Sequence, residues 1–368
     1  MNNDKLTEKP TLPYAKWWPL VAGALCGVIL RLIFSGNKNL SAMAPAFFGF
    51  APLAVGAVTV YVAERSARRS WGYYITAGIM ANVLFILATL LILIEGLICA
   101  ILIIPLFSVY GALGALLMGA ICRLTNWPKP PVVLSFSLLP LLLALVLPHG
   151  AVAPYMGASE RSIIVDADAD TIWRQLHDTR DIAPAEVGKA WMYRIGVPTP
   201  QSGVTRLTSA GLEREVRMGK GIHFSQHASA WESGRYVRWT YRFSDDSFPP
   251  GALDDHVKIG GEYFDLIDTE YLITPLSAHS SRLTARMHYR VSTQFNWYAK
   301  HLANGLIGNF EEVILRFYGA RAAAAQQRTS GQGDTCLSQQ AAAGSAAAAA
   351  AAANIHPTST SLICTIGV

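Results

Sequence analysis

The sequence predicts two structural classes in one chain. An α-helical transmembrane bundle comes first, then an α+β domain in which a curved antiparallel sheet surrounds one long C-terminal helix. Three observations carry this expectation. Charged residues make up 15% of the 368 positions and hydrophobic ones 52%, against roughly 25% charged in an average soluble domain. Only fourteen Asp, Glu, Lys and Arg residues lie between Met1 and Gly150. After Pro148 the pattern changes to period-2 alternation interrupted by two amphipathic helical stretches.

Residues 1–16 are polar and read as a short leader. WWPLVAGALCGVILRLIF (17–34) is long enough for a spanning helix. A cleavable signal peptide is the competing reading, but the apolar run is long and no small-x-small cleavage site precedes a soluble segment. A second span follows at 42–63, and then ERSARRS (64–70), with three arginines in seven residues. The run Trp71–Cys122 holds a single formal charge, Glu95. As one helix it would be about 78 Å long, against a hydrocarbon core of roughly 30 Å.

The run must therefore fold back. Glu95-Gly96 is the polar, helix-weakening pair near its middle, so a hairpin there gives spans at about 71–94 and 97–122, the second bent at Pro105. VVLSFSLLPLLLALVLP (132–148) makes a fifth span. A lone membrane carboxylate is a functional candidate by default. The length argument gives Glu95 a plainer place at the hairpin tip, in the headgroup region, because burying it unpartnered costs about 2.5–3.5 kcal/mol or more. A working transporter, with the soluble domain as regulator, would need Glu95 to act almost alone.

With five spans, Lys and Arg tally eight on one side (leader, 64–70, 123–131) against Arg31, Lys38 and Arg161 on the other. The positive-inside bias then places the N-terminus in the cytoplasm. The odd count sends the C-terminal domain across, which for a bacterial inner-membrane protein means the periplasm. Were 95–104 re-entrant and the last stretch interfacial, that domain would stay in the cytoplasm. The net charge of +5 is supplied by the membrane half and reports topology, so a nucleic-acid partner is not expected. Five cysteines, at 26, 99, 122, 336 and 364, form no CxxC pair, which supports neither a disulfide framework nor a thiolate metal site.

In the C-terminal half, strands are expected at 162–168, 222–231, 235–243, 262–273 and 281–292. RYVRWTYRF shows the logic: Val237, Trp239, Tyr241 and Phe243 share one face, with Arg238 and Arg242 opposite. ADADTIWRQLHDT (167–179) reads as a helix capped by Asp168 or Asp170. NWYAKHLANGLIGNFEEVILRFYGARA (296–322) carries a long apolar stripe that includes Leu306 and Phe310. The alanine-rich tail 326–368 has helix propensity but nothing to bury, and is expected to be disordered.

The order SIIVDADADTIWRQLHD, then GVTRLTSAG with EREVRMGKG, then the strand pair within 256–298 and the final amphipathic helix, resembles the START-like (SRPBCC) superfamily. That group includes polyketide cyclase/dehydrase-like and lipid-transfer proteins. The resemblance covers about residues 156–325. Together with the spans, it is similar to bacterial inner-membrane members of the group. It implies a helix-grip fold and a hydrophobic cavity between sheet and long helix, but no single chemistry.

On that basis Trp239, Tyr241, Tyr263, Tyr271, Tyr289, Leu306 and Phe310 are the expected cavity lining, with a filled aromatic core as the alternative. The expected partners are membrane lipids and a hydrophobic small molecule. A cyclase/dehydrase- or aromatase-type enzyme is the alternative function, with His256, Asp265 and His288 as acid–base candidates. His223 and His227 lie about 13 Å apart along a strand, and no HxH or HExxH spacing occurs, so neither a metal nor another cofactor is expected. Arg206, Arg214, Arg217 and Lys220 form a basic hairpin, read either as a solvated face or as a contact for anionic headgroups. Oligomeric state has no sequence signal.

Overall fold

The computed structural model describes residues 17–35, 44–125, 153–253 and 257–352, with isolated positions between 135 and 143. Side chains are described as far as residue 329. Among the described residues, four helices are long and apolar enough to cross a membrane: α1 Trp18–Ser35, α2 Pro45–Glu64, α3 Trp71–Leu91 and α4 Leu97–Leu124. The leader and most of the expected fifth span, 132–148, lie outside the described residues. The fold-back falls where the length argument puts it, in the turn between α3 and α4, with Leu93 at its tip in the left-handed region (φ 56°).

The bundle packs through small residues. A Cβ on Gly56 of α2 would stand 2.0 Å from the Gly111 carbonyl oxygen of α4, and one on Gly78 of α3 would stand 2.5 Å from the same atom. Backbone thus meets backbone, the usual way for helices to gain contact where burial from lipid contributes no hydrophobic drive. Asn82 Nδ2 donates to the carbonyls of Gly78 (2.9 Å) and Pro52 (3.3 Å), bridging α3 to α2. Outward-facing Leu25, Ile29, Leu84, Leu87, Val109 and Leu113 form an exposed apolar surface, as a lipid-facing surface requires.

One end of the bundle is basic and aromatic. Arg123 stacks on Trp71 (4.4 Å) and donates to the Arg69 carbonyl, while Tyr74 donates to Glu64. The opposite end carries the α3–α4 turn.

The second half forms an eight-stranded, wholly antiparallel sheet in the order β1-β8-β7-β6-β5-β4-β3-β2. Its strands are β1 Tyr155–Val165, β2 Asp178–Thr179, β3 Pro200–Thr208, β4 Gly211–Met218, β5 His223–Glu232, β6 Tyr236–Arg242, β7 Phe264–Ser277 and β8 Ser280–Val291. Between β1 and β3 lie α5 Ala169–His177, capped by Asp168 accepting from Thr171 N (2.6 Å), and the short α6 Pro184–Val187 and α7 Trp191–Arg194. The last helix, α8 Asn296–Ala352, lies against β1 and β8.

Ile314, Leu315, Phe317 and Tyr318 of α8 close over Val237, Trp239, Tyr271, Ile273 and Leu283 of the sheet. This is the helix-grip arrangement that the alternation and the terminal stripe predict. The backbone of α8 is helical as far as Ala352.

Candidate functional site

The domain is seated on the α3–α4 end of the bundle. Phe295, just before α8, stacks on Phe48 of α2 at 4.1 Å, and Tyr298 Oη donates to the Leu102 carbonyl of α4 at 2.6 Å. Asn296 Nδ2 reaches the Ala153 carbonyl at the start of the domain. Gly196, after α7, lies beside Leu97 and Ile98. The first turns of α8 therefore face α4 across a gap.

That gap is an apolar cavity of about 210 Å³. Ile98, Cys99, Leu102 and Ile103 present one stripe of α4, and Tyr298, Leu302, Leu306 and Ile307 present one stripe of α8, each at helical spacing. Phe47 and Phe48 of α2, with Leu253, Val257, Ile259 and Tyr263 from the segment between β6 and β7, complete the wall. Glu95 is the one charged side chain among the described lining residues. Its Oε1 accepts from Arg31 Nε of α1 at 2.6 Å, both side chains are about nine-tenths buried, and Arg31 also donates to Ser35. Glu95 thus sits in the turn the sequence predicts, but as half of an ion pair 64 residues apart. Pairing offsets the charge that would otherwise be too costly there.

The expected cavity residues divide between two places. Tyr263 and Leu306 line the junction cavity. Trp239 and Tyr271 are buried in the cluster beneath α8, with Phe310 packed against its edge. Tyr289 packs with Met287, Val291 and Ile307, and burial pushes its hydroxyl up to about 12. Tyr241 is half-buried beside Phe224 and bonds Thr269 at 2.7 Å.

Of the acid–base candidates, His256 lies outside the described residues. Asp265 accepts from Gly260 N in a turn. His288 lies with Asp268, Arg238 and Glu270 in an ion network on the sheet face opposite Trp239 and Tyr271. Asp268, Glu270 and His288 have donor atoms within 4.8 Å of one another, and Arg238 ion-pairs with both carboxylates.

The basic hairpin needs one correction. Arg206, Arg217 and Lys220 are exposed, Arg217 pairing with Glu215, but Arg214 is buried on the concave face with Nη2 donating to Tyr318 Oη at 2.7 Å. Leu212, Arg214, Val216 and Met218 share strand parity, and that pattern is the sequence signal for its inward direction.

The fold and site together define a bundle of helices long and apolar enough to cross a membrane, carrying a helix-grip domain, with an apolar cavity where they meet. No family model matches the sequence, and no curated protein matches it. Among solved structures, the C-terminal half is similar to a START superfamily protein from Mycobacterium smegmatis (12% identity, TM-score 0.31, 46% of this chain and 98% of that one). It is also similar to the Zhui aromatase/cyclase from Streptomyces sp. R1128 (11%, 0.29, 46% and 94%). A truncated norcoclaurine synthase from Thalictrum flavum is a further likeness (12%, 0.27, 45% and 96%).

Proposed function

We propose that the chain is a membrane-embedded binding protein for a lipid or another slim apolar small molecule, held in the cavity between bundle and domain. The observation that carries this reading is the shared wall: α4 and α2, both long enough to span, contribute with Glu95 about a third of the lining and the domain contributes the rest. A guest leaving the bilayer along α4 would reach the domain without crossing water, where exposed apolar surface costs about 25 cal/mol per Å². At about 210 Å³ the cavity is smaller than the ~300–1,000 Å³ typical of drug-sized sites, which favours a single hydrocarbon chain over a multi-ring body.

The orientation proposed is N-terminus inside and domain on the far side, periplasmic in a bacterium. Its support is the seat of the domain at the Glu95 end, opposite the end bearing Arg65, Arg68, Arg69 and Arg123. Reporter fusions after residue 155 test this separately: activity of a reporter that works only in the cytoplasm would reverse it.

The binding reading is tested by purifying the full chain, identifying co-extracted lipids by mass spectrometry, and titrating a fluorescent fatty acid. Leu306→Trp, which fills the cavity, is expected to weaken binding about tenfold or more, since a guest methylene contributes about 0.8 kcal/mol. No co-purifying lipid, together with unchanged probe binding in Leu306→Trp, would sink the proposal.

A further inference from the structure

The wall of the junction cavity carries one carboxylate, and most of its bonding capacity is unused. Other polar side chains in the lining are engaged: Tyr298 Oη donates to the Leu102 carbonyl and Thr293 Oγ1 donates to Asn296 Oδ1. Glu95 is different. An ionised carboxylate has about four acceptor sites. Among the described residues it receives one hydrogen bond, from Arg31 Nε to Oε1 at 2.6 Å. The amides of Leu93, Ile94 and Glu95 turn back to the carbonyls of Leu90 and Thr89 instead. The Glu95 side chain is 11% exposed, and a carboxylate so buried is rarely left with an open oxygen.

Donors stand beside this acceptor. Helix α4 starts directly after Glu95 and Gly96, and no side chain caps it. The amides of Leu97 and Ile98 have no acceptor among the described residues, and first-turn amides point out of the helix end. Ile98 also lines the cavity. One corner of an apolar space therefore combines an unfilled acceptor with unfilled donors.

Charge narrows what can meet both. Arg31 is buried, outside the lining, and balances Glu95 from behind. No Lys, Arg or His is among the described lining residues. A carboxylate or phosphate head would set an anion against Glu95 and has no proton to give it. An ammonium head would add an unbalanced charge to a neutral pair and cannot accept from the α4 amides. A hydroxyl is uncharged, donates once and also accepts.

We propose that the guest of the junction cavity is a single-chain lipid ending in a hydroxyl, a long-chain alcohol. Its hydroxyl donates to Glu95 and accepts from the first turn of α4, while its chain lies between the apolar stripes of α4 and α8. This rests on the reading above, that the cavity takes an apolar chain, and names the other end of that chain. A fatty acid enters by its chain as well, but leaves the Glu95 oxygen unmet.

The test uses the full chain in nanodiscs loaded with a fluorescent fatty acid. Dodecanol, its methyl ether and dodecanoate compete for the probe at pH 8, each corrected for partition into empty nanodiscs. The ether keeps the chain and an acceptor but has no donor. Dodecanol is expected to displace the probe at about tenfold to a hundredfold lower concentration than the ether, the worth of a hydrogen bond to a charged group. Dodecanoate should rank with the ether or below it. Arg31→Met with Glu95→Leu removes the ion pair without stranding a charge and should bring the alcohol-to-ether ratio to about one. Should that variant fail to fold, Arg31→Met with Glu95→Gln, which keeps a neutral acceptor, should lower the ratio several-fold. Equal displacement by alcohol and ether, dodecanoate outranking dodecanol, or a preference that survives the loss of Glu95 would overturn the hydroxyl assignment and leave the cavity reading standing. Failure of all three chains to displace the probe would overturn both.

Discussion

Glu311 lies on the buried side of α8 and is fully inaccessible, with Oε2 accepting from Ser159 Oγ at 2.6 Å. Burial pushes its carboxyl from 4.5 up to about 7, with the Ser159 bond opposing. The sign follows from linkage. The unfolded chain loses this proton near 4.5 and the folded one near 7, so the folded state is progressively penalised as pH rises between those values and uniformly above them. The full penalty is at most ~3 kcal/mol.

His177 acts in the opposite sense. Burial holds its imidazole down at about 4 against a usual 6.5, so its contribution to stability rises with pH from 4 to 6.5 and is complete above that. The two windows overlap, and the wild-type profile alone would look nearly level between pH 4.5 and 6.5. The diagnostic quantity is the difference from Glu311→Gln, which keeps the acceptor without the charge. Differential scanning of the full chain in detergent should show similar melting temperatures near pH 4.5. By pH 8 the variant should lead by up to roughly 6–12 °C, taking 2–4 °C per kcal/mol for a domain of this size. A difference that stays constant with pH would refute the reasoning, because it would mean that Glu311 does not titrate between folded and unfolded states.

Three further outcomes follow from the geometry. Arg31→Met should destabilise the chain by about 3–5 kcal/mol by stranding Glu95, and the double change Arg31→Met with Glu95→Gln should recover most of that in a thermal-shift assay. Gly56→Ala forces a methyl against the Gly111 carbonyl and should cost about 1–3 kcal/mol, read as lower resistance to denaturing detergent. Tyr298→Phe removes the bond to Leu102 and should loosen the domain from the bundle by about 1 kcal/mol, seen as faster amide exchange in the first turns of α8 with an unchanged sheet.

Periodicity determined much of this protein. The 52 apolar residues with one charge had to reverse, and the reversal is at Glu95. Period-2 runs became β5 to β8, and Asp168 caps α5 as its position before the apolar stripe predicts. These are local rules, in which each residue's neighbours along the chain decide its fate.

What tertiary structure decided is everything that joins distant segments. Arg31 and Glu95 read separately as a loop-side cation and a hairpin charge, and only the packing of α1 beside the α3–α4 turn makes them a pair. The aromatic face of the sheet reads equally well as cavity wall or as core. The seat of α8 packs Trp239 and Tyr271 into the core, while docking on α4 opens a cavity around Tyr263 and Leu306. Arg214 is the intermediate case. Its parity with Leu212 and Val216 already points inward, but a charge in a basic hairpin reads as solvated until the sheet closes over it. Composition sets which groups tolerate water; only the closed fold sets which of them lose it.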